Sequence, residues 1–252
     1  MNSSDRVKSF GVVITIYNSE ATLLASLESL RLQTYRFWHA VCVLNNCTDN
    51  SEAVLRRFIK QWGVEHKFHV VEEKLQGHVP ASNTGVFQAL SIPNVTHIAR
   101  LDSDDIWHPE KLQKQYDFLV ANPDVDVLGT NMRLFVKTTR QQQGVTNYPL
   151  TDEAIKADLE RSINPIGNSS SVFHRNVVTR CGVYDDLFPY SEDFWFWLKA
   201  SRWFKMANLP EHLVDYSCWS NPAYNPNVAR LAAFLTNQIR QHSPLQYSKA
   251  YE

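Results

Sequence analysis

The sequence predicts an α/β fold with a mostly parallel central sheet flanked by helices, on two observations. Short apolar runs end in polar turns, as buried parallel strands do, and stripes of helical spacing alternate with them along the chain. Phe10 to Ile16 is the first run and stops at Tyr17-Asn18. Ser19 can then cap a helix that carries Leu23, Leu24, Leu27 and Leu30. Ala40 to Leu44 is the second strand, ending in the polar loop Asn45 to Asp49. Ser51 can cap a helix with Val54, Leu55, Phe58, Ile59 and Trp62 on one stripe, which Gly63 stops. His69 to Val71 closes a third strand, and Pro80 can open a helix through Val86, Phe87 and Leu90. Val95 to Leu101 is a strand that runs straight into Asp102-Ser103-Asp104-Asp105. Pro109 opens the next helix, Asn122-Pro123 ends it, and Val125 to Leu128 is strand-like again.

After Arg140 the texture changes. Gln141 to Gly144 reads as an exposed loop, and the later segments are shorter and more aromatic. Four of the seven tryptophans (Trp195, Trp197, Trp203 and Trp219) lie between Ser191 and Ser220, which marks a smaller, aromatic-rich lobe. Pro226 to Gln241 spaces Val228, Leu231, Leu235 and Ile239 as a C-terminal helical tail would. The chain is thus read as one domain over 1–252, with a first half over 10–130 and a second over 131–252.

The totals exclude several classes. A formal net charge of -1 over 252 residues offers no general field for nucleic acid or anionic lipid, so any phosphate must be held locally. Cys42, Cys47, Cys181 and Cys218 lie far apart with no CxxC pair, which argues against zinc and for reduced thiols in the cytoplasm. Met1 to Lys8 is polar, unlike a signal peptide, and no apolar run approaches the roughly 20 residues of a membrane span.

The acidic turn carries the chemistry. Asp102, Asp104 and Asp105 follow the end of a strand, where ligands of open α/β sheets bind. Three carboxylates within four residues repel one another, and a divalent cation relieves that repulsion. Hard oxygen ligands suit Mg2+ or Mn2+, which also bridge a diphosphate. The plain alternative is an acidic turn that caps the helix near Pro109.

The stretch Ile98 to Ile106, followed by Pro109-Glu110-Lys111-Leu112, resembles the DxD region of family 2 glycosyltransferases with the GT-A fold. Val12 to Asn18 is similar to that family's first strand, and Leu27 to Leu30 with Gln33-Thr34-Tyr35 to its first helix and turn. Ala81-Ser82-Asn83 with Gly85 resembles its donor-side helix, and Glu192-Asp193, then aromatics and Leu198, its acceptor-side acidic motif. The match runs in order from about Phe10 to Trp219.

The resemblance implies an inverting, metal-dependent glycosyl transfer from a nucleotide-sugar bound in the first half to a hydroxyl of a glycan or glycolipid in the second. It places Thr15, Tyr17, Asn45, Asn83, Asp102 and Ser103 at the sugar nucleotide and Asp102 and Asp104 on Mn2+ or Mg2+. Asp193, with Glu192 second, is the candidate general base that takes the proton of the attacking hydroxyl. The alternative for that pair is a first helical turn that complements the helix dipole. Lys74, His78 and Arg100 are the nearby cations that could neutralise phosphate.

Two positions depart from the family. Asn45 stands where an acidic residue accepts a hydrogen from the base, and Asn168 where a histidine is frequent. A UDP- or dTDP-sugar is the favoured donor and a GDP-sugar the next. A peripheral contact with the inner face of a membrane, or a homodimer, stays open. Two rivals remain: a degenerate chain that binds nucleotide-sugars without turnover, and a nucleotidyltransferase. The second would carry a glycine- and lysine-rich phosphate loop after the first strand, where this chain has Thr15-Ile16-Tyr17-Asn18-Ser19.

Overall fold

The structure is a computed structural model that describes residues 9–187 and 191–218. Its first half is the expected alternation: β1 (Ser9–Ile16), α1 (Leu23–Arg31), β2 (Trp38–Leu44), α2 (Ser51–Trp62), β3 (Phe68–Glu72), α3 (His78–Ser91) and β4 (Val95–Arg100). The short β5 (Ile106–Trp107), α4 (Lys111–Ala121) and the long β6 (Val125–Val136) follow. The second half adds β7 (Gln142–Val145), α5 (Asp152–Glu160), β8 (Val172–His174), α6 (Arg175–Cys181), α7 (Glu192–Ala200) and β9 (Lys205–Cys218). One sheet contains all nine strands of the described residues, in the order β3-β2-β1-β4-β8-β6-β9-β5, with β7 on β6.

β1 to β4 pair with one another in parallel. β8 then runs antiparallel to β4 and β6, and β9 pairs with β6 in parallel, so the second half is mixed. Alternate residues of β1 point to opposite faces, and both faces are covered. Phe10, Val12, Ile14 and Ile16 pack with Leu27, Leu30, Leu55, Phe58 and Leu112 from α1, α2 and α4. Val13, Val41 and Val43 pack with Val86, Ala89, Leu159 and Trp197 from α3, α5 and α7. Each such fully buried side chain contributes about 1.5–3 kcal/mol relative to exposure. That double burial is why β1 and β2 read as continuous apolar runs rather than alternating ones.

Gly85 lets α3 lie close to the sheet, because a Cβ there would collide with Val13. Gly63 ends α2 in the left-handed region, with φ 60°. Of the aromatic run, Phe194, Phe196 and Trp197 are core.

Several local expectations are corrected. Gln142–Val145 is an edge strand on β6 rather than a loop; its polar residues bury nothing, so no apolar signal announces it. Ser19 does not cap α1, since its hydroxyl meets that of Ser103 at 2.7 Å. Ser51 is the first residue of α2, and its hydroxyl is hydrogen-bonded to Asp49 and accepts from the Ser19 N–H. The tail helix expected over Pro226 to Gln241, and Trp219, lie outside the described residues. Among the described residues no helix is long and apolar enough to cross a membrane.

Candidate active site

The turn Asp102 to Asp105 is held from four sides. Ser26 of α1 donates to the Asp102 carbonyl at 3.1 Å, and the Asp102 N–H donates to Ser169 Oγ at 3.2 Å. Ser169 belongs to the 3₁₀ turn Asn168–Ser170, whose Ser169 carbonyl also accepts from Trp107 Nε1 at 2.8 Å. Ser103 is fixed by Ser19. From β9, the Ser217 N–H donates to Asp105 Oδ1 at 2.7 Å and the Ser217 hydroxyl to the Asp104 carbonyl. The turn is therefore rigid before any ligand arrives.

Above it lies an open cleft of about 280 Å³. Thr15 and Tyr17 line it from the end of β1, and Asp102, Ser103 and Asp104 from the end of β4. These five residues, with Asn45 and His78, are the part of the sequence-derived set that the fold brings together around one space. Thr15 is buried, whereas Tyr17 is 54% exposed and presents its ring to the opening.

The three acids differ. Burial, followed by the charges of Asp102 and Asp104, raises the Asp105 carboxyl well above the usual range. Asp105 is a pin for β9 and takes no part in the cleft lining. Burial also raises Asp102, partly offset by the buried Arg100, whose Nη2 lies 3.5 Å from Asp102 Oδ1. That oxygen is buried and accepts no hydrogen bond. Asp104 Oδ2 meets the Lys137 ammonium at 2.7 Å.

These donors fit a hard divalent cation in part. Asp102 and Asp104 both line the cleft, and Asp102 Oδ1, buried beside Arg100, has no hydrogen-bond partner. Among the described residues no group of three or more His, Cys, Asp or Glu gathers as a ready-made cage. Two carboxylates completed by water and substrate phosphates are the usual protein share for Mg2+.

Two of the residues expected at the donor hold backbone with their amides. Asn45 lines the cleft, but Nδ2 donates to the carbonyls of Glu73 and Leu75 at 2.9 and 2.8 Å, and Oδ1 accepts from the Gly77 N–H at 3.0 Å. Its amide thus holds the loop 73–77. Asn83 exchanges hydrogen bonds with the backbone of Tyr184, at 2.9 and 3.0 Å, and is absent from the cleft lining. Of the three cations singled out for phosphate, His78 lines the cleft, while Lys74 and Arg100 do not.

Asn45→Asp should therefore destabilise the chain. The change sets a carboxylate against two carbonyls, and each buried group left unpaired costs about 1–3 kcal/mol. Chemical denaturation reads this, and an unshifted midpoint would remove the clamp role.

Glu192 and Asp193 sit at the start of α7. His78 Nε2, at the start of α3, lies 3.2 Å from Glu192 Oε1 and so joins the two halves across the cleft. Desolvation lowers the proton affinity of His78, and the Glu192 hydrogen bond, with the charges of Glu192 and Asp102, outweighs it. Asp193 Oδ2 accepts from Asn164 Nδ2 at 2.9 Å, and Oδ1 from the Phe194 N–H at 2.7 Å. Burial first, then the Glu192 charge, raises Asp193 from 3.8 to about 7. Ser191 makes no side-chain cap to α7. Asn168 meets the Tyr184 hydroxyl at 3.4 Å. Neither Lys137 nor Asn164 carries a local sequence signal for these contacts, which join residues far apart in the chain.

The sequence pattern of glycosyl transferase family 2 matches residues 11–188, and the chain belongs to that family. It is 30% identical over 218 residues to the amylovoran biosynthesis glycosyltransferase AmsE of Erwinia amylovora, covering 84% of this chain and 77% of that protein. It is 25% identical over 214 residues to the bifunctional glycosyltransferase pgtA of Dictyostelium discoideum, covering 73% of this chain but only 27% of that protein. Among solved structures, it superposes on S. aureus TarS 1-349 in complex with UDP-GlcNAc with a TM-score of 0.68, at 18% identity, over 90% of this chain and 66% of that one. The mannosyltransferase PcManGT from Pyrobaculum calidifontis, in complex with GDP-Man and Mn2+, gives 0.64 at 16% identity, over 90% and 61%. The fold is the GT-A arrangement expected from the sequence.

Proposed function

We propose that the protein is an inverting, divalent-metal-dependent glycosyltransferase that moves a sugar from a nucleotide-sugar to a hydroxyl of a glycan or glycolipid. The observation that carries this reading is the convergence of Thr15, Tyr17, Asp102, Ser103 and Asp104 on one cleft, with Glu192 tied to its rim through His78. Residues 10–130 hold the sugar nucleotide, and 131–252 present the acceptor. Tyr17 stacks on the base, a reading supported by its place in the cleft lining and its exposure. Asp102 and Asp104 would hold Mn2+ or Mg2+, which when bound stabilises negative charge on the departing nucleoside diphosphate.

Asp193 takes the proton of the acceptor hydroxyl. A carboxyl raised to about 7 is well matched to that task near neutral pH, and Asn164 holds one of its oxygens in place. The neighbouring Glu192 adds to the effect of burial in raising its proton affinity. The relatives support UDP- and GDP-linked donors without choosing between them, and Asn45 does not make the choice, because its amide is committed to the loop.

A thermal-shift panel of uridine, thymidine and guanosine diphosphates and their sugars, with and without Mn2+, tests this. A ligand at 100 times its Kd should raise Tm by roughly 5–10 °C for a chain of this size, and only when the metal is present. A flat panel, or a shift indifferent to metal, would remove the reading.

A further inference from the structure

Lys137 lies one residue beyond the end of β6. Its backbone N–H donates to the Cys218 carbonyl at 2.8 Å. The adjacent Ser217 holds the Asp104 carbonyl and the Asp105 carboxyl, so the β6–β9 ribbon sets both Lys137 and the acidic turn. The ammonium reaches Asp104 Oδ2 at 2.7 Å, from a side chain one third exposed. Among the described residues that line the cleft, Lys137 is the one lysine or arginine.

An ammonium and a divalent cation compete for one carboxylate, because the two positive charges repel each other at such a distance. Two carboxylates, one divalent cation and a diphosphate would leave the cleft anionic, and of the described lining residues only Lys137 and His78 can offset that charge. A lysine is suited to shift partners, since its compact charge rides on a flexible four-carbon stem.

Building on the metal-dependent reading above, we propose that Lys137 is a diphosphate-binding residue that shares Asp104 with the metal. Its ammonium pairs with Asp104 until a divalent cation takes that carboxylate, and then turns to the diphosphate oxygens. The residue thus acts with opposite signs on two ligands. It opposes the bare metal and favours the nucleotide, which makes the metal bind best when it arrives with the diphosphate.

The test uses the full chain with Lys137→Gln and Lys137→Arg, their folding checked by circular dichroism. Mn2+ binding without nucleotide is followed by the paramagnetic resonance signal of the free ion. Lys137→Gln should bind Mn2+ roughly two- to fivefold more tightly, the scale of a partly exposed ion pair removed. With Mn2+ saturating, calorimetry should show the nucleoside diphosphate bound roughly tenfold more weakly, the nucleoside unchanged, and Lys137→Arg near the wild type on both counts. Mn2+ affinity that is unchanged or weaker in Lys137→Gln overturns the proposal, as does an equal loss for nucleoside and diphosphate. Failure of the metal reading itself looks different: the wild type would then take up no Mn2+ with or without diphosphate.

Discussion

Asp193→Asn is expected to lower the rate of sugar transfer by roughly 10²–10⁴ while nucleotide-sugar affinity stays within a factor of about two, as for loss of a positioned general base. The change is nearly isosteric but removes basicity. In the wild type, transfer should rise as pH climbs through about 7, where the carboxyl ionises, and the variant should lose that rise. Stability gives an independent sign. The folded-state pKa lies above the ordinary 3.8, so the stabilising contribution is full at low pH and is lost as pH rises through about 7. Between about pH 4 and 7 the denaturation midpoint of the wild type should therefore fall relative to that of the variant, whose neutral amide does not ionise. A merely dipolar role for the carboxylate at the start of α7 would instead cost the variant under about 1 kcal/mol and leave turnover near normal. Glu192→Gln, run in parallel, shows whether the neighbouring acid carries the proton.

Asp104→Ala is expected to abolish Mn2+-dependent binding of the nucleotide and leave the fold intact. The side chain sits on a loop and is partly exposed, and its ion pair with Lys137 is worth about 0–1 kcal/mol at such a site. The backbone contact that β9 makes to the turn uses the Asp104 carbonyl and survives the substitution. Circular dichroism should match the wild type while calorimetry with Mn2+ and nucleoside diphosphate loses its signal. A variant with wild-type affinity in Mn2+ would show that the metal does not rest on this carboxylate.

Residues at strand ends are legible in the sequence for a physical reason. A buried parallel strand must be apolar along its length, so the first polar residues after it announce where the cleft begins. Thr15, Tyr17 and Asp102 to Asp104 follow from that rule together with the family resemblance. Asn45 obeys it too, as the first polar residue after β2, but its partners, like those of Asn83, are tertiary facts. Their hydrogen bonds reach Glu73, Leu75, Gly77 and Tyr184, and nothing local records it. Lys137 is hidden for the same reason, as a single cation after a strand whose relation to Asp104 exists only once β6 and β9 pair. β7 gives no signal because an exposed edge strand has no hydrophobic face to declare.

The grip of Ser217 on the acidic turn has a consequence for the order of events during synthesis. Asp104 and Asp105 leave the ribosome more than a hundred residues ahead of the serine that holds them. β1 to β4 and their helices can pair as they emerge, because every partner in that half-sheet has been made by Arg100. The turn cannot reach its final geometry until β9 has been made and has threaded alongside β6. A nascent chain stopped before residue 217 could hold a nearly complete parallel half-sheet and still lack the finished site. Chemistry is thus withheld from the growing polypeptide until its far strand arrives, and a prematurely ended copy carries the acidic turn without the strand that sets it.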